Sequence, residues 1–220
     1  MTFSFELEND MDRRKFISYS GKLILSCGLL SRCAGSNAAS YRKSVVIGVG
    51  GAGIYILNEI PDLRDKAFAV DADNSKSGQR TRLEKITFAM EDADMDDRPE
   101  MVRASVEHIL PGLKRRLASP DQVILVAGLG GATGTNASPA IARTASEAGA
   151  RVVGLWIHPF SWESRCEHAA CNLPLLRNSV DTSIDFRLED FSLHENMHIL
   201  HIFQSCISAV TDTVIKLHHA

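Results

Sequence analysis

From Ser44 onward, short apolar runs alternate with longer segments of mixed polarity. Val45-Val-Ile-Gly-Val-Gly-Gly-Ala-Gly53 empties into glycines and is followed by Ile54-Tyr-Ile-Leu-Asn-Glu-Ile60, which stops at Pro61. This pattern predicts a buried strand, a glycine turn and a helix. Ala67 to Asp71 is a second apolar run, at the distance that a right-handed crossover requires. Residues 73–99 are polar and weakly patterned, and are expected to be a solvated connection. Within them Asp92, Asp94, Asp96 and Asp97 crowd together without the glycine and terminal glutamate of a calcium loop. Between Glu100 and Leu117, Val102, Val106, Ile109, Leu110 and Leu113 form a helical stripe, with Pro111 expected to bend it. Val123 to Pro139 passes from an apolar run through glycines and threonines into a helix that begins after Pro139 and ends near Gly149. Arg151 to Ile157 is a further strand, Glu163 to about Asn178 a helix, Asp181 to Phe186 a short strand, and His194 to Leu217 an apolar-rich helix. Strands alternating with helices in this way predict an α/β fold around a parallel sheet.

Residues 1–43 have a different character. An acidic start leads to Met11-Asp-Arg-Arg-Lys-Phe-Ile17, an apolar stretch ending at Leu29-Leu30, and small polar residues up to Ser40. Two expectations stand side by side: a disordered tail or membrane tether, or an export signal resembling the bacterial twin-arginine type with its pair at Arg13-Arg14. Residues 44–220 are expected to be one domain. In 220 residues, 45% hydrophobic and 23% charged, there is material for one sizeable core. The net charge of −3 offers no footprint for nucleic acid, and no apolar run is long enough to span a membrane. Five cysteines without CxxC spacing are expected to be free thiols rather than disulfides or zinc ligands. His194, His198 and His201 share a helical spacing, but no carboxylate or cysteine completes a metal set, so no metal ligand is expected.

The candidate chemistry lies in the glycines. Gly128, Gly130, Gly131 and Gly134 let a backbone approach an anion closely, Thr133 and Thr135 add hydroxyls, and the following helix directs its free N–H groups and dipole to the same point. Independently, Gly48-Val-Gly50-Gly-Ala-Gly53 satisfies G-x-G-x-x-G after a strand, and Asp71 closes the next strand where a dinucleotide fold places its ribose-binding acid. Ligands of open α/β sheets bind beyond the carboxyl ends of strands, which puts Glu163 on the same rim, where it could accept ribose hydroxyls or complement a helix dipole. No G-x-x-x-x-G-K-[ST] occurs, which excludes an ordinary P-loop.

These motifs together resemble the GTPase domain of the bacterial tubulin relative FtsZ. The resemblance runs through Val46 to Gly53, Ala69-Val-Asp-Ala-Asp73, Gly130-Gly-Ala-Thr-Gly-Thr135 (similar to the tubulin signature GGGTGTG), Pro159-Phe-Ser-Trp-Glu163 and Val180-Asp-Thr182. It implies a Rossmann-like parallel sheet flanked by helices and closed by a long C-terminal core helix; the family's second domain is not expected in this chain. It also implies a nucleotide whose phosphates lie between Gly50, Gly51, Ala52 and Gly53 on one side and Gly130, Gly131, Ala132, Thr133, Gly134, Thr135 and Asn136 on the other. Departures from the family pattern are specific. Ala132 and Asn136 replace signature glycines, Ile54 and Tyr55 follow the first loop in place of glycine and asparagine, and Asp71 stands for asparagine. Glu167 takes the place of an arginine, with Arg165 as a neighbouring substitute, and the guanine-binding aspartate aligns with Leu200 or His201. The expectation is a truncated, divergent, first-domain FtsZ-like protein that binds GTP or GDP, with or without Mg2+, and is at most a weak GTPase. It is expected to modulate cell-division filaments with a full-length FtsZ as partner, in the cytoplasm, at a membrane surface, or exported if the signal operates. Two other readings are a nucleotide-free regulatory module on the same fold and a dinucleotide-binding protein.

Overall fold

Successive residues of the buried strands point to opposite faces of one sheet, so each strand supplies two cores. Val46, Ile124, Val126, Val153 and Leu155 belong to one core; Ile47, Val49, Leu125, Ala127 and Trp156 belong to the other. The computed structural model describes residues 43–63, 66–74, 81–90, 98–192 and 197–220. In it the strands β1 (Ser44–Val49), β2 (Ala67–Ala72), β3 (Glu84–Phe88), β4 (Gln122–Gly128), β5 (Arg151–His158) and β6 (Thr182–Arg187) are all parallel, in the order β3-β2-β1-β4-β5-β6. The first core is covered by α1 (Gly50–Asn58) and by α6 (Ile199–His219), whose Ile202, Cys206, Val210 and Val214 recur every four residues on one stripe. On the other face lie α2 (Arg98–Val106), α3 (Leu110–Arg116), α4 (Ala132–Glu147) and α5 (Arg165–Asn178). The expected parallel sheet and long C-terminal helix are both present.

Five boundaries differ from those expected; one is the C-terminal helix α6, which begins at Ile199 and not near His194. The connection after Asp73 contains β3, which pairs with β2 from Phe68↔Glu84 to Ala72↔Phe88. Only Phe88 of its five residues is buried, so this edge strand carries little apolar signal. It is held from outside: Arg116 of α3 forks onto Glu84 at 2.5 and 2.8 Å and lies 4.2 Å over the Phe68 ring. The helical stripe after Glu100 is two helices. The break falls between Val106 and Leu110, and Pro111 occupies the first turn of α3, where its missing N–H costs nothing. There is no free turn after β1, because α1 begins at Gly50 itself. Finally, α4 begins at Ala132 and carries Pro139 inside it; nearby, Ser138 donates its hydroxyl to the Gly134 carbonyl at 2.6 Å.

Cys166, Cys171 and Cys206 are free thiols, as expected; burial, reinforced by the Asp190 carboxylate, pushes Cys206 up to about 12. His198 caps α6 by accepting from the Leu200 N–H, and among the described residues no three or more His, Cys, Asp or Glu side chains gather as a metal-binding cluster. Among them, too, no helix is long and apolar enough to cross a membrane. Arg13-Arg14, Cys27, Cys33, the Asp92 to Asp97 cluster and His194 lie outside the described residues.

Candidate functional site

β1 and β4 are neighbours at the centre of the sheet, with β2 and β3 to one side and β5 and β6 to the other. The chain leaves β1 into α1 on one face and leaves β4 through Leu129–Gly131 into α4 on the opposite face. Such a divergence opens a crevice at the carboxyl edge of a parallel sheet. A cleft of about 620 Å³ lies there, extending from Asp71, Asn74 and Arg98 past both glycine segments to His158, Leu188 and Phe203.

Its middle is built from two helix starts in close contact. The N-caps are Val49 for α1 and Gly131 for α4; neither helix has a side-chain cap or an acidic residue in its first turn. Unanswered N–H groups and two positive dipole ends therefore meet in one place, an arrangement suited to an anion. The glycines make the approach possible. Gly50 has φ +69°, and a Cβ on it would come within 3.0 Å of the Gly134 nitrogen. One on Gly53 would stand 2.1 Å from the Val126 carbonyl oxygen, and one on Gly134 would stand 2.4 Å from that of Gly128. At Gly131, by contrast, a Cβ would meet no atom within 4 Å, although the residue lines the cleft.

Of the residues singled out in the sequence, Gly50, Gly51, Ala52, Asp71, Gly128, Gly131, Ala132, Thr133, Gly134 and Arg165 line this cleft. The others occupy supporting positions. Gly53 packs against β4, and Gly130, at φ +84°, packs against Arg165. Thr135 is fully buried, with its hydroxyl accepting from the Gly130 N–H at 2.8 Å, so it locks the turn instead of facing the cleft. Asn136 donates to the Ala132 carbonyl at 2.8 Å while its Oδ1 is buried without a partner. Glu163 accepts from the Phe160 N–H at 2.8 Å and from Arg165 Nε at 2.6 Å, so both carboxylate oxygens have partners within the chain. Asp71, 1% exposed, accepts from the Ala72 N–H through Oδ1; its Oδ2 is buried with no partner. Leu200 is 59% exposed, and His201 is exposed as well.

Sequence reasoning missed the two flanks. On the β2/β3 side Asp73 accepts from the Met90 N–H and Asn74 donates to the Met90 carbonyl, which ties the ends of these strands together beside Arg98. On the β5/β6 side His158 lines the cleft, and its Nε2 is 3.0 Å from Asp185 Oδ1, while Arg177 donates to Asp185 Oδ2 at 2.6 Å. His158 was open to discovery as the last residue of a strand; its partners were not. Burial raises the Asp185 pKa, but the hydrogen bonds from His158 and Arg177 outweigh it and hold the carboxyl below the usual aspartate range. A depressed carboxylate contributes stability above its unfolded pKa and loses it as pH falls through the folded value. The stability gap between the wild type and Asp185→Asn should therefore be full at pH 6 and shrink below about pH 4, measured by urea unfolding at both ends; a gap independent of pH would contradict this origin.

Residues 43–190 match the family model described as Tubulin/FtsZ family, GTPase domain. Among solved structures the fold is similar to an empty FtsZ dimer of M. jannaschii, with TM-score 0.67 and 23% identity over 86% of this chain and 57% of that one. It is also similar to CetZ from Methanosaeta thermophila, with TM-score 0.66 and 16% identity over 80% and 53%. A GTPγS-bound protofilament of CetZ2 from Haloferax volcanii is likewise similar, with TM-score 0.65 and 21% identity over 81% and 58%. The chain thus spans a little over half the length of these structures.

Proposed function

The chain belongs to the Tubulin/FtsZ family, and from that premise we propose that it binds GTP or GDP in the cleft over β1 and β4, with the phosphates on the first turns of α1 and α4. The observation that carries this is the meeting of two uncapped, acid-free helix starts at a point where Gly131 leaves space for a ligand. Gly50, Gly51, Ala52, Ala132, Thr133 and Gly134 would supply backbone N–H groups, Thr133 a hydroxyl, and Arg165 a cation at the rim. Calorimetry of the full chain with GDP, GTP, NAD and pyrophosphate tests it. Binding of NAD alone would move the protein to the dinucleotide class, and binding of nothing would make it a nucleotide-free module.

Mg2+ fits the same cleft. It is a hard cation that takes carboxylate oxygens, and Asp71 Oδ2 is a buried carboxylate oxygen without a partner on the cleft wall. Without a cation, that carboxylate repels phosphate. GDP binding by the wild type should therefore weaken when EDTA removes the divalent ion, whereas Asp71→Asn should be less sensitive; equal sensitivity in both would take Asp71 out of the ion's surroundings. A full-length FtsZ is the partner this reading names, in keeping with the dimer and protofilament among its structural neighbours. Light scattering of FtsZ polymers with substoichiometric amounts of this chain checks it, and unchanged polymer mass and length would count against the pairing.

A further inference from the structure

At the opposite edge of the sheet from the cleft, the amino ends of β1 and β4 hold the last turn of α6. A helix leaves its final carbonyls without intrahelical partners, and here two of them are answered by buried side chains from distant strands. Gln122, which opens β4, donates its amide to the Leu217 carbonyl at 3.0 Å. Ser44, which opens β1, donates its hydroxyl to the His218 carbonyl at 3.2 Å, and the same oxygen lies 2.5 Å from His218 Nδ1. A hydroxyl has one proton to give. With that proton on the carbonyl, the ring supplies the proton of the second contact, so neutral His218 carries it on Nδ1 and leaves Nε2 bare. His218 is 8% exposed and Ser44 5%.

We propose that His218 is a pH-sensitive latch: neutral, it seats the last turn of α6 on Ser44 and Gln122, and protonated, it leaves its pocket and frees that turn. A further proton can enter only at Nε2, where the surroundings oppose it. The charged groups at this edge are Lys43 beside Ser44, whose ammonium bonds Ser119, Asp121 beside Gln122, and Lys66, whose carbonyl accepts from the Val46 N–H. Glu59 and Asp62 follow α1, and Lys216 and His219 are on α6 itself. Of these, Lys66 and His219 act on the His218 ring, and His219 meets it edge-on at 5.2 Å and 68°. Burial first, then Lys66 and His219, push the His218 pKa down. A histidine depressed in the folded state contributes stability above its unfolded value of about 6.5 and loses it as pH falls through the folded value. The turn is therefore seated at neutral pH and released in mild acid. Release is local, because Ile202, Cys206, Val210 and Val214 keep the rest of α6 in the core. The latch stands apart from the nucleotide reading.

The test is amide hydrogen exchange on the full chain at a series of pH values from about 7.5 to about 5, spanning histidine titration, with rates corrected for the intrinsic effect of pH. In the wild type, protection of residues 214–219 should fall severalfold towards the acid end while that of residues 202–210 holds. His218→Gln keeps a donor for Ser44 but cannot take up a proton, so its last turn should show no such fall. Lys66→Gln changes an exposed side chain and removes a repelling charge, so the midpoint of the fall should move to higher pH. Protection of 214–219 that is independent of pH in the wild type overturns the latch, and so does a fall that persists in His218→Gln. If His218→Gln does not fold, Lys66→Gln decides: a midpoint moved upward supports the latch, and an unmoved one overturns it.

Discussion

Gly131→Ala should keep the fold and lose the ligand. Gly131 has φ −81° and ψ 152°, a conformation open to any residue, and a Cβ there meets nothing within 4 Å. Its stability should change by less than about 1 kcal/mol, and in the stabilising direction, because alanine restricts the unfolded chain more than glycine does. The added methyl stands at the cleft wall beside the first N–H groups of α4, where a phosphate must approach the backbone. Losing one charge-assisted hydrogen bond there costs about 1.5–3 kcal/mol, or roughly 10- to 150-fold in affinity. Gly134→Ala should behave in the opposite way. Its Cβ would lie 2.4 Å from the Gly128 carbonyl oxygen, a backbone atom that cannot rotate aside, so α4 would have to move off β4 at a cost of about 3 kcal/mol or more. Urea unfolding and pyrophosphate calorimetry on the two variants separate these effects; undiminished pyrophosphate affinity in Gly131→Ala would remove the anion from this loop.

The largest stability effect outside the cleft is expected at Trp156. It is fully buried on β5, and its ring lies across Gly154, where a Cβ would meet it at 2.2 Å. Trp156→Ala removes the largest fully buried side chain, and the sheet is too rigid to collapse around the void, so the loss should be about 3–5 kcal/mol. Trp156→Phe should cost considerably less. The indole Nε1 is buried without a hydrogen-bond partner among the described residues, and phenylalanine removes that unsatisfied donor along with some volume. Equal destabilisation in the two variants, measured by urea unfolding, would show that the indole nitrogen has a partner, such as a buried water.

How far the sequence can be read depends on the range of the force involved. The glycine segments were legible because their requirement is steric and local: Gly48 and Gly53 must let β1 and α1 touch, and a Cβ on Gly48 would lie 2.9 Å from the Gly53 carbonyl. Strand β3 was not legible, because an edge strand with one buried side chain depends on a partner's backbone and on Arg116, 32 residues away. The start of α4 was misplaced because Pro139 looks like a boundary, whereas the helix accommodates it well after its first turn.

By itself the sequence determined the alternation of strands and helices, the two-faced core and the two glycine segments that meet over β1 and β4. Each follows from apolar period or from the missing side chain of glycine, which are properties of neighbouring residues. Tertiary structure alone decided which polar groups face the cleft. Thr135, Asn136 and Glu163 had the right chemistry, but they found partners within their own loop or helix; Asp71 kept one oxygen without a partner; and His158 gained Asp185 and Arg177 from a different strand and helix. A side chain's partner depends on which backbone passes within about 3 Å of it, and in a parallel sheet that neighbour comes from a strand a whole crossover away in the chain.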